Sequence, residues 1–397
     1  MSRFFAMFML CLMGVAGTMA QVNGDSLRIS LVTCSPGTEV YSLYGHTALR
    51  VVDPLNGIDA VFNYGVFDYR RPNFVWRFMM GKCDYEVAAI PFRLFMEEYE
   101  VRGSSVMEQT LLLTSEEKTR LYRNLVVNVQ PQNKIYRYNF LTRNCTTKAR
   151  DMIEGAVDGH VVYEEAAEHH SYREFLHRYS EDYPWTETGI DLLLGAKCDT
   201  VISDRAAQFL PEQLMQYLGN AQVYDDDNNR RPLVGATIML LLPKEQVTPE
   251  TPVTPLIAGM MAFVAMVLLM LVEHRWGRMM WWIDVLLMSG QGLAGILVTM
   301  MFLFSEHPTV DSNWQVLILN PLPLLFMPWV VRCARRRKVC VYHYVNALWQ
   351  TLFLAFAAWI PQCFPVLTIC LALTLLTRPV SYVRHYSRED KPKNEKP

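Results

Sequence analysis

Two side chains in this sequence are placed to do chemistry: a cysteine at the start of a helix and a histidine at the head of a strand. Cys145 stands in Arg143-Asn144-Cys145-Thr146-Thr147-Lys148-Ala149-Arg150, where Asn144 can cap a helix over 145–154. A thiol in that first turn faces unpaired backbone N–H groups and the positive end of the helix dipole, and both favour the nucleophilic thiolate. Such a thiolate needs a neighbouring base, and His46, in Leu43-Tyr44-Gly45-His46-Thr47-Ala48-Leu49-Arg50-Val51, is the candidate. The competing readings are a small buried cysteine and a structural histidine with its hydrogen bonds satisfied. A third group should orient the imidazole. Asn63 fits, on the strand expected to pair with that of His46; alternation sends Asn63 and Tyr64 to opposite faces, so only one of them points at the site, and Asp68 is the fallback. Backbone N–H groups at the helix start would hold an oxyanion, with Asn144 and Tyr64 as supporting side chains.

The elements that must position these residues are mixed. Residues 27–33 alternate like a strand, and 48–52 and 60–64 flank Asp53-Pro54-Leu55-Asn56-Gly57, a turn by composition, so that together they read as a hairpin. Residues 108–113 read as another strand, Thr114 with Glu117 as the capping box of a helix running to about 127, and 136–140 as a further strand. Strands interleaved with helices in this way predict an α+β domain over 21–243.

Before and after that domain the composition changes. Residues 1–20 carry Arg3, an apolar run and the small-residue ending Thr18-Met19-Ala20, the pattern of a secretory signal peptide. A Pro-rich linker over 244–255 leads to five apolar stretches at 256–272, 283–304, 314–331, 344–360 and 363–377, the last short for a bilayer core of about 30 Å. Arg275 and Arg278 follow the first stretch, Arg332, Arg335, Arg336, Arg337 and Lys338 follow the third, and the tail over 378–397 is again basic, whereas the loops after the second and fourth hold no Lys or Arg. Positive loops stay in the cytoplasm, so five spans leave the domain in the periplasm and the C-terminus inside. Asn320, Gln291 and Gln350, within the spans, read as amides that join helices through hydrogen bonds.

With 51% hydrophobic residues, 19% charged and a formal net charge of -2, the chain is neither disordered nor a basic binder of nucleic acid. Cys34, Cys83, Cys145 and Cys198 leave room for two disulfides, yet their spacing shows neither a disulfide framework nor a zinc set. Glu164-Glu165 with His169-His170 reads as a solvated face, Asp225-Asp226-Asp227-Asn228-Asn229 as a hairpin turn, and Asp191 as a helix cap. No metal or other cofactor is implied.

Several segments, taken in order over about residues 28–200, carry a resemblance. They are Leu31-Val32-Thr33-Cys34-Ser35-Pro36-Gly37, Tyr41-Ser42-Leu43-Tyr44-Gly45-His46-Thr47-Ala48-Leu49-Arg50, Phe62-Asn63-Tyr64-Gly65-Val66-Phe67-Asp68, Tyr138-Asn139-Phe140 with Asn144-Cys145, and Gly189-Ile190-Asp191-Leu192-Leu193-Leu194-Gly195. Histidine on an early strand followed by Asn-Cys at a helix start resembles the permuted papain-like (NlpC/P60-related) fold and, within it, the lecithin:retinol acyltransferase group. With its membrane appendage the whole chain resembles the Bacteroides-type lipoprotein N-acyltransferase family. The resemblance implies a permuted papain-like exported domain followed by an all-α membrane domain of five helices in the inner membrane. It further implies that Cys145 and His46 move an acyl chain from a membrane phospholipid, through a thioester, to the α-amino group of the diacylglyceryl-cysteine of an apolipoprotein. Permuted relatives often place a second histidine in the orienting role, and this sequence offers none nearby, so Asn63, Tyr64 and Asp68 stay as alternatives. Two rival activities remain: a peptidoglycan amidase or endopeptidase, or a lipid hydrolase, in which water resolves the thioester; and a non-catalytic membrane binding protein.

Overall fold

The computed structural model describes residues 24–67, 70, 72–246, 248 and 250–389; the expected signal peptide, Asp68 and the end of the basic tail lie outside them. The described chain divides into two units that interleave along the sequence: the first holds the stretch from 24 to 67, Asp84–Ala167 and Asp204–Gln246, and the second holds the stretch ending at Cys83, Glu168–Ser203 and the chain beyond the first unit's end.

In the first unit the strands are β1 (Arg28–Cys34), β2 (His46–Asp53), β3 (Ile58–Val66), β4 (Asp84–Pro91), β5 (Val106–Leu111), β6 (Ile135–Arg137), β7 (His160–Val162), β8 (Gln222–Tyr224), β9 (Arg230–Pro232) and β10 (Val234–Leu241). Seven of them form one antiparallel sheet in the order β10-β5-β1-β2-β3-β4-β6, and β7-β8-β9 form a small second sheet. The β2–β3 hairpin closes because the Asp53 carboxylate accepts from the N–H groups of Leu55 and Asn56 while Gly57 takes a φ of +65°. Asp225 closes the β8–β9 turn in the same way, accepting from the N–H of Asp227 and Asn229.

Helices cover both faces of the large sheet. From α1 (Phe92–Arg102), Phe95 and Tyr99 pack on Val32, Cys34, Ala48, Val61 and Val106. The other face carries α2 (Ser115–Asn128), whose capping box is Thr114 with Glu117, α3 (Cys145–Glu154) and α4 (Pro211–Asn220). β1 is buried along six of its seven residues, its polar Ser30 and Thr33 included, although its sequence alternates. The strand expected over 136–140 shortens to β6, because the Asn139 side chain accepts from the N–H groups of Leu141 and Thr142 and turns the chain towards α3.

The second unit gathers five apolar helices: α5 (Pro255–Trp276), α6 (Trp281–Phe304), α7 (Leu322–Arg335), α8 (Val341–Phe356) and α9 (Val366–Glu389). Among the described residues four stretches are long and apolar enough to cross a bilayer: Pro255–Trp276, Trp281–Phe304, Trp314–Arg335 and Val366–Tyr386. The fourth of the five expected stretches, 344–360, is the short one, since α8 has 16 residues and ends in a 3-10 turn at Ala357–Trp359. The last, expected to stop at 377, runs on as α9. The reason is local: Arg378 is buried and forms ion pairs with Asp284 and Glu273, each at 2.8 Å, and the Tyr382 hydroxyl donates to Asp284 at 2.5 Å. A charge that marks a helix end in sequence is here neutralised inside the bundle, so the helix continues.

Asp191 departs from its expected capping role. It lies inside helix Pro184–Leu193, buried, where it pairs with Arg173 and accepts from His177 Nε2 at 3.0 Å. Arg173 also reaches Asp199 at 2.6 Å.

Candidate active site

Strands β2 and β3 pair from Asp53↔Ile58 to Leu49↔Phe62 and then part. His46 is the first residue of β2, beyond that last pair, and the start of α3 comes in beside it: the hydroxyls of buried Thr47 and Thr146 meet at 3.2 Å. Side chains alternate along a strand, so the continued register puts Asn63 beside Ala48 and on the face of His46, with Tyr64 on the face of α3. His46 Nε2 lies 2.6 Å from Asn63 Oδ1. An amide oxygen only accepts, so Nε2 carries the proton and Nδ1 remains for Cys145.

Cys145 is half-buried, its Sγ lies 3.8 Å from the Thr146 hydroxyl, and it interacts electrostatically with His46. Burial pushes the thiol up, but the charge of His46 and its hydrogen bond, helped by the Thr47 backbone and the Thr146 hydroxyl, outweigh this and lower it from 9.0 to about 7. The imidazole behaves reciprocally. Burial lowers it, the Cys145 thiolate and the Asn63 acceptor raise it, and the net shift is upward. Both shifts favour a thiolate–imidazolium pair at neutral pH. Gly65 fits closely against the pair with a φ of +96°; a Cβ there would stand 3.7 Å from Cys145 Cβ and 3.8 Å from His46 Cε1.

Asn144 is fully engaged in holding the helix start. Its Oδ1 accepts from the N–H groups of Thr146 and Thr147, each at 2.9 Å, and its Nδ2 donates to the carbonyls of Phe140 and Phe209, each at 2.8 Å. The backbone N–H of Cys145, the first residue of α3, has no acceptor within its own helix. Tyr64 is fully buried and its ring centroid lies 6.3 Å from that of Tyr136, away from His46. The Lys148 ammonium stands 5.8 Å and 5.6 Å from the Tyr64 and Tyr136 ring centroids, and burial lowers its amine.

Neighbours that spacing did not single out complete the surroundings. Tyr99 stacks on His46 at 6.3 Å between centroids, and Cys34, directly across β1–β2 from His46, packs in one cluster with Tyr99. Burial drives the Cys34 thiol well above its ordinary value, which makes it a packing group. Arg102 lies 5.1 Å over the Tyr99 ring. The sequence signal for Tyr99 and Arg102 was their i, i+3 spacing on one helix. Cys34, Cys83, Cys145 and Cys198 are all free thiols. Among the described residues no group of three or more His, Cys, Asp or Glu could hold a metal ion.

An α+β unit with a thiol–imidazole–amide site, in one chain with helices apolar enough to cross a bilayer, defines a membrane protein with a cysteine-centred site. Residues 17–178 match the family model for the Lnb N-terminal periplasmic domain, and residues 246–389 match that for the Lnb transmembrane domain. Together the two take in most of the chain, in the order of the resemblance above, and the chain belongs to the Lnb family. It is thus an integral membrane protein with a periplasmic N-terminal domain. No curated protein and no solved structure matches it.

Proposed function

We propose that the chain is a thiol-dependent acyltransferase that N-acylates diacylated apolipoproteins from a phospholipid donor, with a permuted papain-like catalytic domain and the C-terminus in the cytoplasm. The observation that carries this reading is the Asn63–His46 hydrogen bond beside a half-buried, acidified Cys145 in a chain of the Lnb family. His46 Nδ1 takes the thiol proton, and Cys145 Sγ attacks an ester carbonyl of the phospholipid. The tetrahedral oxyanion is met by the Cys145 N–H. The ester C–O bond breaks, the imidazolium gives its proton to the leaving glycerol oxygen, and a thioester and a lysophospholipid result. In the second half the α-amino nitrogen of the diacylglyceryl-cysteine attacks the thioester, His46 takes a proton from it, and the C–S bond breaks to give the amide and free Cys145. Asn63 keeps the imidazole in the required tautomer throughout.

Hydrolysis of lipid or peptidoglycan would use the same three residues. Acyl transfer is favoured because donor and acceptor are both bilayer molecules, and a chain held in the membrane by four long apolar stretches is confined to their surface. The test is to incubate full-length protein and its Cys145→Ala variant with phospholipid and a synthetic diacylated lipopeptide, following both lipids by mass spectrometry. The expected result is one acyl chain gained by the lipopeptide, an equal amount of lysophospholipid, and neither product with the variant. Free fatty acid with an unchanged lipopeptide would overturn transfer in favour of hydrolysis.

A further inference from the structure

Part of the connection from β3 to β4 is far more apolar than a loop in water. Residues 74–80 read Phe74-Val75-Trp76-Arg77-Phe78-Met79-Met80, six of the seven apolar, and they fold into a short helix, Phe74–Met79. Val75, Trp76 and Phe78 are 69%, 44% and 38% exposed. At about 100° per residue these three and Met79 fall within one arc of roughly 160°, and Arg77, the only charged residue of the helix, falls opposite the centre of that arc. Arg77 Nε is taken up locally, donating to the Lys82 carbonyl at 3.2 Å. Large apolar side chains exposed side by side mark a surface that something apolar covers.

The contacts of the helix decide what covers it. Met79, near the centre of the arc, packs with Met80 against Met300 and Met301 of α6 and against Val310, so the arc is turned towards the membrane helices. The Ser305 hydroxyl donates to the Met79 carbonyl at 3.0 Å, the Glu306 N–H donates to the Met80 carbonyl at 3.0 Å, and His307 Nε2 donates to the Phe78 carbonyl at 2.8 Å. Gly81, at a φ of +67°, permits this approach, since a Cβ there would stand 3.0 Å from the His307 backbone nitrogen. The helix is thus fastened to the three residues that follow Phe304, where a bilayer-crossing stretch ends. Leu303 and Phe304 are themselves exposed, so the lipid-facing surface of α6 reaches the point of attachment.

Residues 74–80 lie in the stretch that matches the periplasmic domain model, which makes this the periplasmic edge of the bilayer. A second segment marks the same edge. Trp185, 47% exposed, donates from Nε1 to the Val253 carbonyl at 2.8 Å, two positions before α5 begins. Tryptophan is enriched at this depth, where its ring meets acyl chains and its N–H meets headgroups. A soluble partner would have to reach Val75, Trp76 and Phe78 at a level that lipid already occupies. We propose that helix Phe74–Met79 is an interfacial membrane anchor whose Val75, Trp76 and Phe78 insert at the headgroup–acyl boundary of the periplasmic leaflet. It adds a lipid contact to the four long apolar stretches, one that six residues make by lying in the interface and not by crossing it. The inference does not rest on acyl transfer.

The experiment is photolabelling of the full-length protein in phosphatidylcholine vesicles that contain a diazirine phospholipid, with the diazirine either beside the ester or at the methyl end of the chain. Labelled peptides are read by mass spectrometry. Peptides holding 74–82 should take the shallow label and lack the deep one, while α6 takes both. Wild type and Cys145→Ala should label alike, because anchoring needs no turnover. Val75→Glu combined with Phe78→Glu should lose the shallow label on 74–82 and leave that of α6 unchanged, which shows that the membrane helices remain folded; Trp76→Phe should keep it. Unlabelled 74–82 in a wild-type preparation whose α6 is labelled overturns the proposal, as does a shallow label that survives the double charge substitution or a deep label as strong as the shallow one.

Discussion

Replacing His46 by alanine isolates the interaction on which the site depends. In the wild type the thiol of Cys145 ionises at about 7, so about half of it is thiolate at pH 7. Burial is the only large influence opposing ionisation, and His46 supplies the two largest influences favouring it. Without the imidazolium, burial opposes ionisation against only the Thr47 backbone and the Thr146 hydroxyl, and a thiol returned to its ordinary 9.0 is about 1% thiolate at pH 7. The remaining thiolate is intrinsically faster, because nucleophilicity rises with pKa along a slope of about 0.4–0.5, which returns roughly six- to tenfold. The net expectation for His46→Ala is roughly a five- to tenfold slower alkylation of Cys145 by iodoacetamide at pH 7. As pH rises the order reverses, and the variant becomes the faster of the two near pH 10. The assay is peptide mass spectrometry of Cys145 after timed alkylation from pH 5 to 10. Cys34 and Cys198 serve as internal controls, since burial raises the first well above its ordinary value and the second to about 11. Coincident pH–rate curves for wild type and variant, or a wild-type midpoint near 9, would refute the thiolate–imidazolium pair.

Three further outcomes follow from particular contacts. Asn63→Ala removes the acceptor from His46 Nε2; a hydrogen bond to an ionised group is worth about 1.5–3 kcal/mol, so transfer should slow about 10- to 150-fold without loss of folding, and Asn63→Asp, which keeps an acceptor, should recover part of it. Asn144→Ala removes the cap of α3, costing about 1–2 kcal/mol, and also strips a donor from the Phe140 and Phe209 carbonyls; a thermal melt of the purified protein should fall further than for Asn63→Ala, and equal melts would contradict the assignment. Arg378→Leu leaves Glu273 and Asp284 buried without their cation and should destabilise the membrane helices by about 3–5 kcal/mol, read as lost thermal stability in detergent, whereas an unchanged melt would mean that the pair is not held as the contacts indicate.

Under the proposed acyl transfer one site would serve two half-reactions: the His46 imidazole, held by Asn63 and stacked on Tyr99, would stay in place when the thiol becomes a thioester and then be available to take a proton from an amine. The free thiols Cys34 and Cys198 do not compete, because burial keeps both protonated at neutral pH.

Much of this protein is written in local sequence. The start of α3 at Cys145, its Asn144 cap, the Thr114–Glu117 capping box and the β2–β3 hairpin all depend on residues within a few positions of one another, and all stand where local chemistry put them. Strand alternation limited the candidates to one face and favoured Asn63, but that its side chain meets His46 depends on the register Leu49↔Phe62 and the parting of β2 from β3, which rest on every strand in the sheet. Cys34 and Tyr99 were silent for the same reason: they reach His46 only by strand pairing and by the docking of α1. In the membrane part hydropathy located the helices but ended the last of them early. Arg378 ends a span when it is read alone, yet inside the bundle Asp284 and Glu273 neutralise it, and no window along the chain shows that pairing. Local propensity, capping and hydropathy act over a few residues and are legible in sequence; registers and ion pairs are settled by partners roughly 10 to 100 positions away, and only tertiary structure brings those together.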